Sequence, residues 1–227
     1  NDQGDGLVCQ SCRLMYATAD ASARRHGLCI YAPDRPGFGD TPLVAGTPEI
    51  TVPAYADDIA RIADGLGLGR FALLGISGGG PYAAAAAARL RGRVTALALV
   101  SPLGPIADLP PSVELTRAQR WFFRTLPGWP RVTALGAGLF RVLFRSAAGI
   151  TSRLFAAGVG GPDRALIAHG DTAAVVRAFT VGALHQGSAA ARADHRAFAR
   201  AWAGDLDATR ARIGAAPQAL RDAAAVH

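Results

Sequence analysis

The chain contains no lysine: all 24 basic residues are arginine, set against 17 acids for a net charge of +7. With alanine so abundant, this points to a GC-rich coding sequence and says little about function. The arginines are scattered, without a run of five and without interleaved aromatics. That excludes the footprint of a nucleic-acid binder, and no nucleic-acid partner is expected. Cysteine is scarce, with only Cys9, Cys12 and Cys29. Cys9-Gln10-Ser11-Cys12 is a lone C-x-x-C with no second pair and no histidine cluster beside it, so no metal site is expected. The thiols read as free in a reducing compartment. No charged start followed by an apolar core and a small-residue cleavage site is visible. No apolar run approaches the ~18 residues of a membrane span, and the richest stretch, 132–150, is broken by Arg141 and Arg145. The expectation is a cytoplasmic protein without a membrane partner and without a cofactor. Charged residues make up 18% and hydrophobic residues 50% of 227 positions. That balance excludes disorder and fits one α/β domain, with room for an inserted subdomain.

The most informative positive feature is Gly75-Ile76-Ser77-Gly78-Gly79. It fits the G-x-S-x-G turn that lifts a serine between a strand and a helix. Phe71-Ala72-Leu73-Leu74 ahead of it suits a buried strand. Gly80-Pro81-Tyr82 and the alanine row from Ala83 to Ala88 behind it suit a helix. Such a turn strains the serine backbone and needs small neighbours two positions to either side, which Gly75 and Gly79 supply. It also leaves the Gly78 N–H at a helix N-terminus, able to donate to a developing oxyanion.

Around this turn the pattern alternates. Residues 17–25 read as a helix and 28–32 as a buried strand ending in a Pro/Gly loop. Tyr55, Ile59, Ile62 and Leu66 fall at helical spacing with acids on the other face. Val94 to Val100 is another apolar strand. Strand, helix, strand, helix, strand from 28 to 100 predicts a mostly parallel sheet with flanking helices. Gly65, Gly67 and Gly69 precede a strand instead of following one, so they do not form a phosphate loop. Beyond residue 106 strand-like runs vanish and helical segments are predicted over 114–126, 135–144 and 173–185. The predicted organisation is an α/β core over 1–105 and 203–227, with a helical cap over 106–202 whose apolar faces line a cleft.

Asp34-Arg35-Pro36-Gly37-Phe38-Gly39 resembles the loop after the fourth strand of α/β-hydrolases, and Gly75 to Tyr82 resembles their nucleophile elbow. The closest group is the proline-iminopeptidase-like and esterase-like hydrolases. The resemblance implies a truncated α/β-hydrolase fold and a Ser, acid, His order. It makes Ser77 the nucleophile on an ester or amide of a small acyl substrate, and Gly78 an oxyanion donor. The acid falls at Asp222. Two departures stand out. The family's His-Gly pair after its third strand is lacking near Leu7 and Val8, a position expected to lie in a loop. No triad histidine is assigned, because His26, His169, His185, His195 and His227 each read as solvated or structural. Without that histidine a serine triad loses on the order of 10⁶ in kcat, so an impaired enzyme is expected. The alternative is a catalytically inactive binding protein of the same fold. A weaker third reading takes 132–150 as a membrane-surface module. Nothing in the sequence fixes the oligomeric state.

Overall fold

A computed structural model describes residues 6–10, 16, 19–43, 50–109, 113–146, 182 and 186–200. Its sheet has strands β1 (Gly6–Gln10), β2 (Cys29–Tyr31), β3 (Phe71–Ile76) and β4 (Val94–Val100), in the order β2-β1-β3-β4. All neighbours are parallel, with Leu7 opposite both Ile30 and Ala72, and Leu73 opposite Leu97. Parallel neighbours need crossovers. Helices α1 (Asp20–Arg25), α2 (Tyr55–Gly65) and α3 (Gly79–Arg89) supply them. The expected parallel α/β sheet is therefore present.

The β1 strand corrects the sequence reading. Leu7 and Val8, expected in a loop, lie in a strand between β2 and β3. Gly-Leu-Val-Cys-Gln is too short and too mixed to show a strand period by itself, and hydrogen bonding on both sides defines it.

The core sits where α3 and α2 cover β3. Phe71 and Leu73 point inward from β3 and are fully buried, as are Ile59 and Tyr82. Ala83 to Ala86 and Ala88 are buried on α3, and their small side chains let the helix lie close to the strands. Tyr55, Ala56, Ile59 and Ala63 form the buried face of α2. At its rim Arg89 Nε donates to Asp57 at 2.7 Å, joining α2 to α3.

After β4 the described elements are helical. A 3-10 turn (Ile106–Asp108) leads to α4 (Arg117–Arg120), a π-helical turn (Trp121–Thr125), a second 3-10 turn (Leu126–Gly128), α5 (Pro130–Ser146) and α6 (Ala189–Phe198). The single helix expected over 114–126 is thus broken. It starts with a capping box between Thr116 and Gln119, then widens at Trp121-Phe122-Phe123 and ends where Pro127 and Gly128 cannot continue it. The helix expected over 135–144 is part of the longer α5. The one expected over 173–185 lies outside the described residues, apart from helical Gly182, as does the core return over 203–227. No described helix is long and apolar enough to cross a membrane.

Candidate active site

β3 passes into α3 through Ser77 and Gly78 alone. Ser77 has φ +50°, a left-handed conformation that costs a non-glycine residue about 1–3 kcal/mol. Backbone bonds hold it there. The Ser77 N–H donates to the Val100 carbonyl at 3.0 Å, and its own carbonyl accepts from the N–H groups of Gly80 and Leu103, both at 3.0 Å. Ser77 is exposed while Gly75, Gly79 and Gly80 are buried. The bend thus presents a serine to solvent over a closely packed base. A Cβ on Gly75 would lie 2.8 Å from Ala83 Cβ and 2.8 Å from Gly80 Cα. The second contact is backbone and cannot swing aside. Gly75→Ala is therefore expected to destabilise the fold by about 1–3 kcal/mol, read from a lower urea midpoint at unchanged slope.

A second strained serine stands beside the first. Ser101 has φ +41°, directly after Val100, whose carbonyl accepts from Ser77. Pro102 follows, packed so close that a Cβ on Gly80 would meet Pro102 Cβ at 2.5 Å. Two adjacent strand ends therefore each turn on a serine. The sequence marked the apolar strand Val94 to Val100 and gave Ser101, directly after it, no role. A Ser-Pro step marks a turn but does not reveal which neighbour it packs against.

Helix α6 lies against this bend. Phe198 Cζ is 3.2 Å from where a Gly78 Cβ would sit, and the Phe198 and Tyr82 rings meet edge to face at 5.8 Å. Beside them is a buried charge pair. The Arg35 guanidinium donates to the Asp194 carboxylate, and the Tyr82 hydroxyl donates to the same carboxylate at 2.6 Å. Arg35 also stacks over Phe38 at 4.8 Å and Tyr82 at 4.6 Å. Burial by itself would lower the Arg35 pKa, but Asp194, with Tyr82 and Tyr55, outweighs it and raises it. Burial, reinforced by Asp194, pushes the Tyr82 hydroxyl upward as well, so Tyr82 remains a donor and not a proton shuttle. Gln186 adds two more ties, its amide donating to the Gly39 and Thr41 carbonyls at 2.7 and 2.9 Å. Loop 33–41, the start of α3 and α6 are thereby joined in one polar cluster. The sequence marked Arg35 and Tyr82 as motif residues but gave them no partner, because Asp194 is 159 positions from Arg35.

His195 is turned to a different task. Its Nε2 is 2.6 Å from the Phe122 carbonyl. A carbonyl only accepts, so Nε2 carries the proton. The ring stacks on Phe122 at 4.6 Å, tying α6 to the π-helical turn. Burial lowers its pKa, with the Phe122 hydrogen bond opposing. The unfolded chain takes up this proton near pH 6.5 and the folded chain only below that. Stability from this group is therefore present above that pH and lost as pH falls toward the lower folded value. Thermal melting from pH 7.5 to 5 should show this slope, and His195→Asn should flatten it.

Of the residues expected at the site, the bend brings together Gly75, Ser77, Gly78 and Gly79. Asp222, His169, His185 and His227 lie outside the described residues. His26 caps the C-terminus of α1. Among the described residues no group of His, Cys, Asp and Glu could hold a metal ion.

A family model described as the alpha/beta hydrolase fold matches residues 8–151. The chain is similar in structure to an alpha/beta hydrolase fold protein from Nakamurella multipartita at 24% identity and a TM-score of 0.55, over 87% of this chain and 68% of that one. It is also similar to a thermophilic esterase from Thermogutta terrifontis, at 21% identity and a TM-score of 0.59, over 89% and 66%. A third similarity is to the enol-lactonase from Burkholderia xenovorans, at 18% identity and a TM-score of 0.55, over 88% and 66%. The chain spans about two thirds of the length of these structures. No curated protein matches the sequence closely enough to count as a relative.

Proposed function

Because the chain belongs to the α/β-hydrolase fold family, we propose that it is a serine hydrolase acting on an ester of a small acyl group, with Ser77 as nucleophile. The observation that carries this reading is the exposed Ser77 at φ +50° between a parallel strand and a helix. The Ser77 hydroxyl oxygen attacks the ester carbonyl carbon. The bond to the leaving alcohol breaks, and water then cleaves the acyl-enzyme. The Gly78 N–H, at the start of α3, donates to the oxyanion, while Gly75 and Gly79 leave the bend room to form. Asp222 is the acid of this proposal, and residues 106–202 form its cap. Phe198, packed at Gly78, supplies an apolar wall. No base is assigned: among the described residues His195 hydrogen-bonds to the Phe122 carbonyl and not to Ser77. The esterase and enol-lactonase named above support an ester as substrate.

Turnover of p-nitrophenyl acetate by the full chain is the test. Slow hydrolysis above background, as expected of an impaired enzyme with no assigned base, that disappears in Ser77→Ala is the expected result, and hydrolysis that survives the substitution overturns the assignment. His195 is held on the Phe122 carbonyl and ring and not on Ser77, which favours one second reading, a binding protein of the same fold. Binding of a small ester without turnover would support it.

A further inference from the structure

Helix α5 carries an apolar stripe on its outward side. At helical spacing, Val132, Leu135, Leu139, Val142 and Leu143 form one continuous apolar stripe. That stripe faces solvent, with Leu135 74%, Leu139 57% and Val142 56% exposed. Among the described side chains of the helix, Thr133, Ala134, Ala137, Gly138 and Arg141, on the other side, are the half-buried ones. Trp129 extends the stripe by one turn: its carbonyl accepts from the Thr133 N–H at 3.0 Å, which puts it in register with the helix, and it is 61% exposed. Trp121, also exposed, opens the preceding π-helical turn. Apolar surface displayed in this way marks an interaction site.

Charge selects the occupant. Residues 115–162 contain no Asp or Glu. Arg117, Arg120, Arg124 and Arg131 in this stretch are exposed, and among the described residues none of them is in an ion pair. A second copy of the chain would bring the same cations against themselves. An anionic lipid surface complements them: arginines meet headgroups, exposed tryptophans suit the interfacial belt, and the leucine stripe sinks to the acyl boundary. We propose that the outward face of α5, with Trp129 and the arginines before it, docks this protein on anionic membrane surfaces, lying along the interface without crossing it. The sequence favoured no membrane partner, because Arg141 and Arg145 interrupt the run that a span would need, and it offered a membrane-surface module over 132–150 only as a weaker third reading. In the helix Arg141 falls on the protein side, leaving the stripe itself uncharged.

The test is co-sedimentation of the full chain with phosphatidylcholine vesicles, with and without phosphatidylglycerol. Binding is expected only to the anionic vesicles. It should weaken as salt rises and fall about fivefold for each of Arg120→Gln, Arg124→Gln and Arg131→Gln. Leu135→Asp with Leu139→Asp should weaken it at least about a hundredfold. Both leucines are exposed, so the circular dichroism and melting of that variant should match the parent. Ser77→Ala should bind as the parent does, which separates this proposal from the hydrolase reading. Failure to bind anionic vesicles at low salt overturns it. So does binding that ignores the leucine substitutions. A concentration-dependent dimer dissolved by Leu135→Asp would assign the face to a second copy and overturn it equally.

Discussion

Replacing Ser77 by glycine is expected to make the protein more stable and chemically inert. The serine is held at φ +50° by three backbone hydrogen bonds from β4, α3 and the loop after β4. Glycine reaches that conformation without the Cβ penalty. Relief of strain, less the greater freedom of glycine in the unfolded chain, should leave a gain of about 1 kcal/mol. The hydroxyl is lost with the strain, and acyl transfer with it. Ser77→Ala separates the two effects: it keeps the Cβ, so it should be as inert as the glycine variant without the gain in stability. Paired urea melts and ester assays on both variants decide the matter. If glycine is no more stable than alanine, the bend is not strained at Ser77.

Asp194→Ala should produce the largest loss of stability. The substitution leaves the buried Arg35 guanidinium without its carboxylate and Tyr82 without its acceptor. Breaking a buried pair from one side costs about 3–5 kcal/mol, far beyond an exposed pair. Asp58→Ala, which removes the exposed pair with Arg61, should change stability by less than about 1 kcal/mol. The combination Arg35→Met with Asp194→Leu removes both charges and should recover most of the loss, because the desolvation cost goes with them. Phe198 rides on the same helix, so weakening that anchor should also loosen the wall against Gly78. A loss of less than about 1 kcal/mol for Asp194→Ala would show that α6 is not docked through this cluster.

What the chain reveals by local pattern and what it hides divide along sequence distance. The elbow was legible because strand, turn and helix signals are contiguous: Phe71 to Leu74, the glycines around Ser77, and the alanine row. Helix α2 announced itself through Tyr55, Ile59 and Ile62. The strand at 6–10 was not legible, since five residues with Gly, Cys and Gln carry no period and depend on partners 23 and 65 positions away, at Cys29 and Phe71. The tie between Arg35 and Asp194 left no mark for the same reason. The periodicity of α5 was visible, but its direction was not. A stripe of Val and Leu reads alike whether it faces a core or solvent, and only the half-burial of Thr133, Ala134, Ala137, Gly138 and Arg141 on the other side distinguishes them.

Fluorophosphonate labelling of the full chain followed by peptide mapping bears on the serine hydrolase reading without depending on any one substrate. A single phosphonyl adduct on Ser77, absent from Ser77→Ala, is the expected outcome. An unlabelled Ser77 in folded protein, or an adduct on Ser101 or another residue in its place, would contradict it.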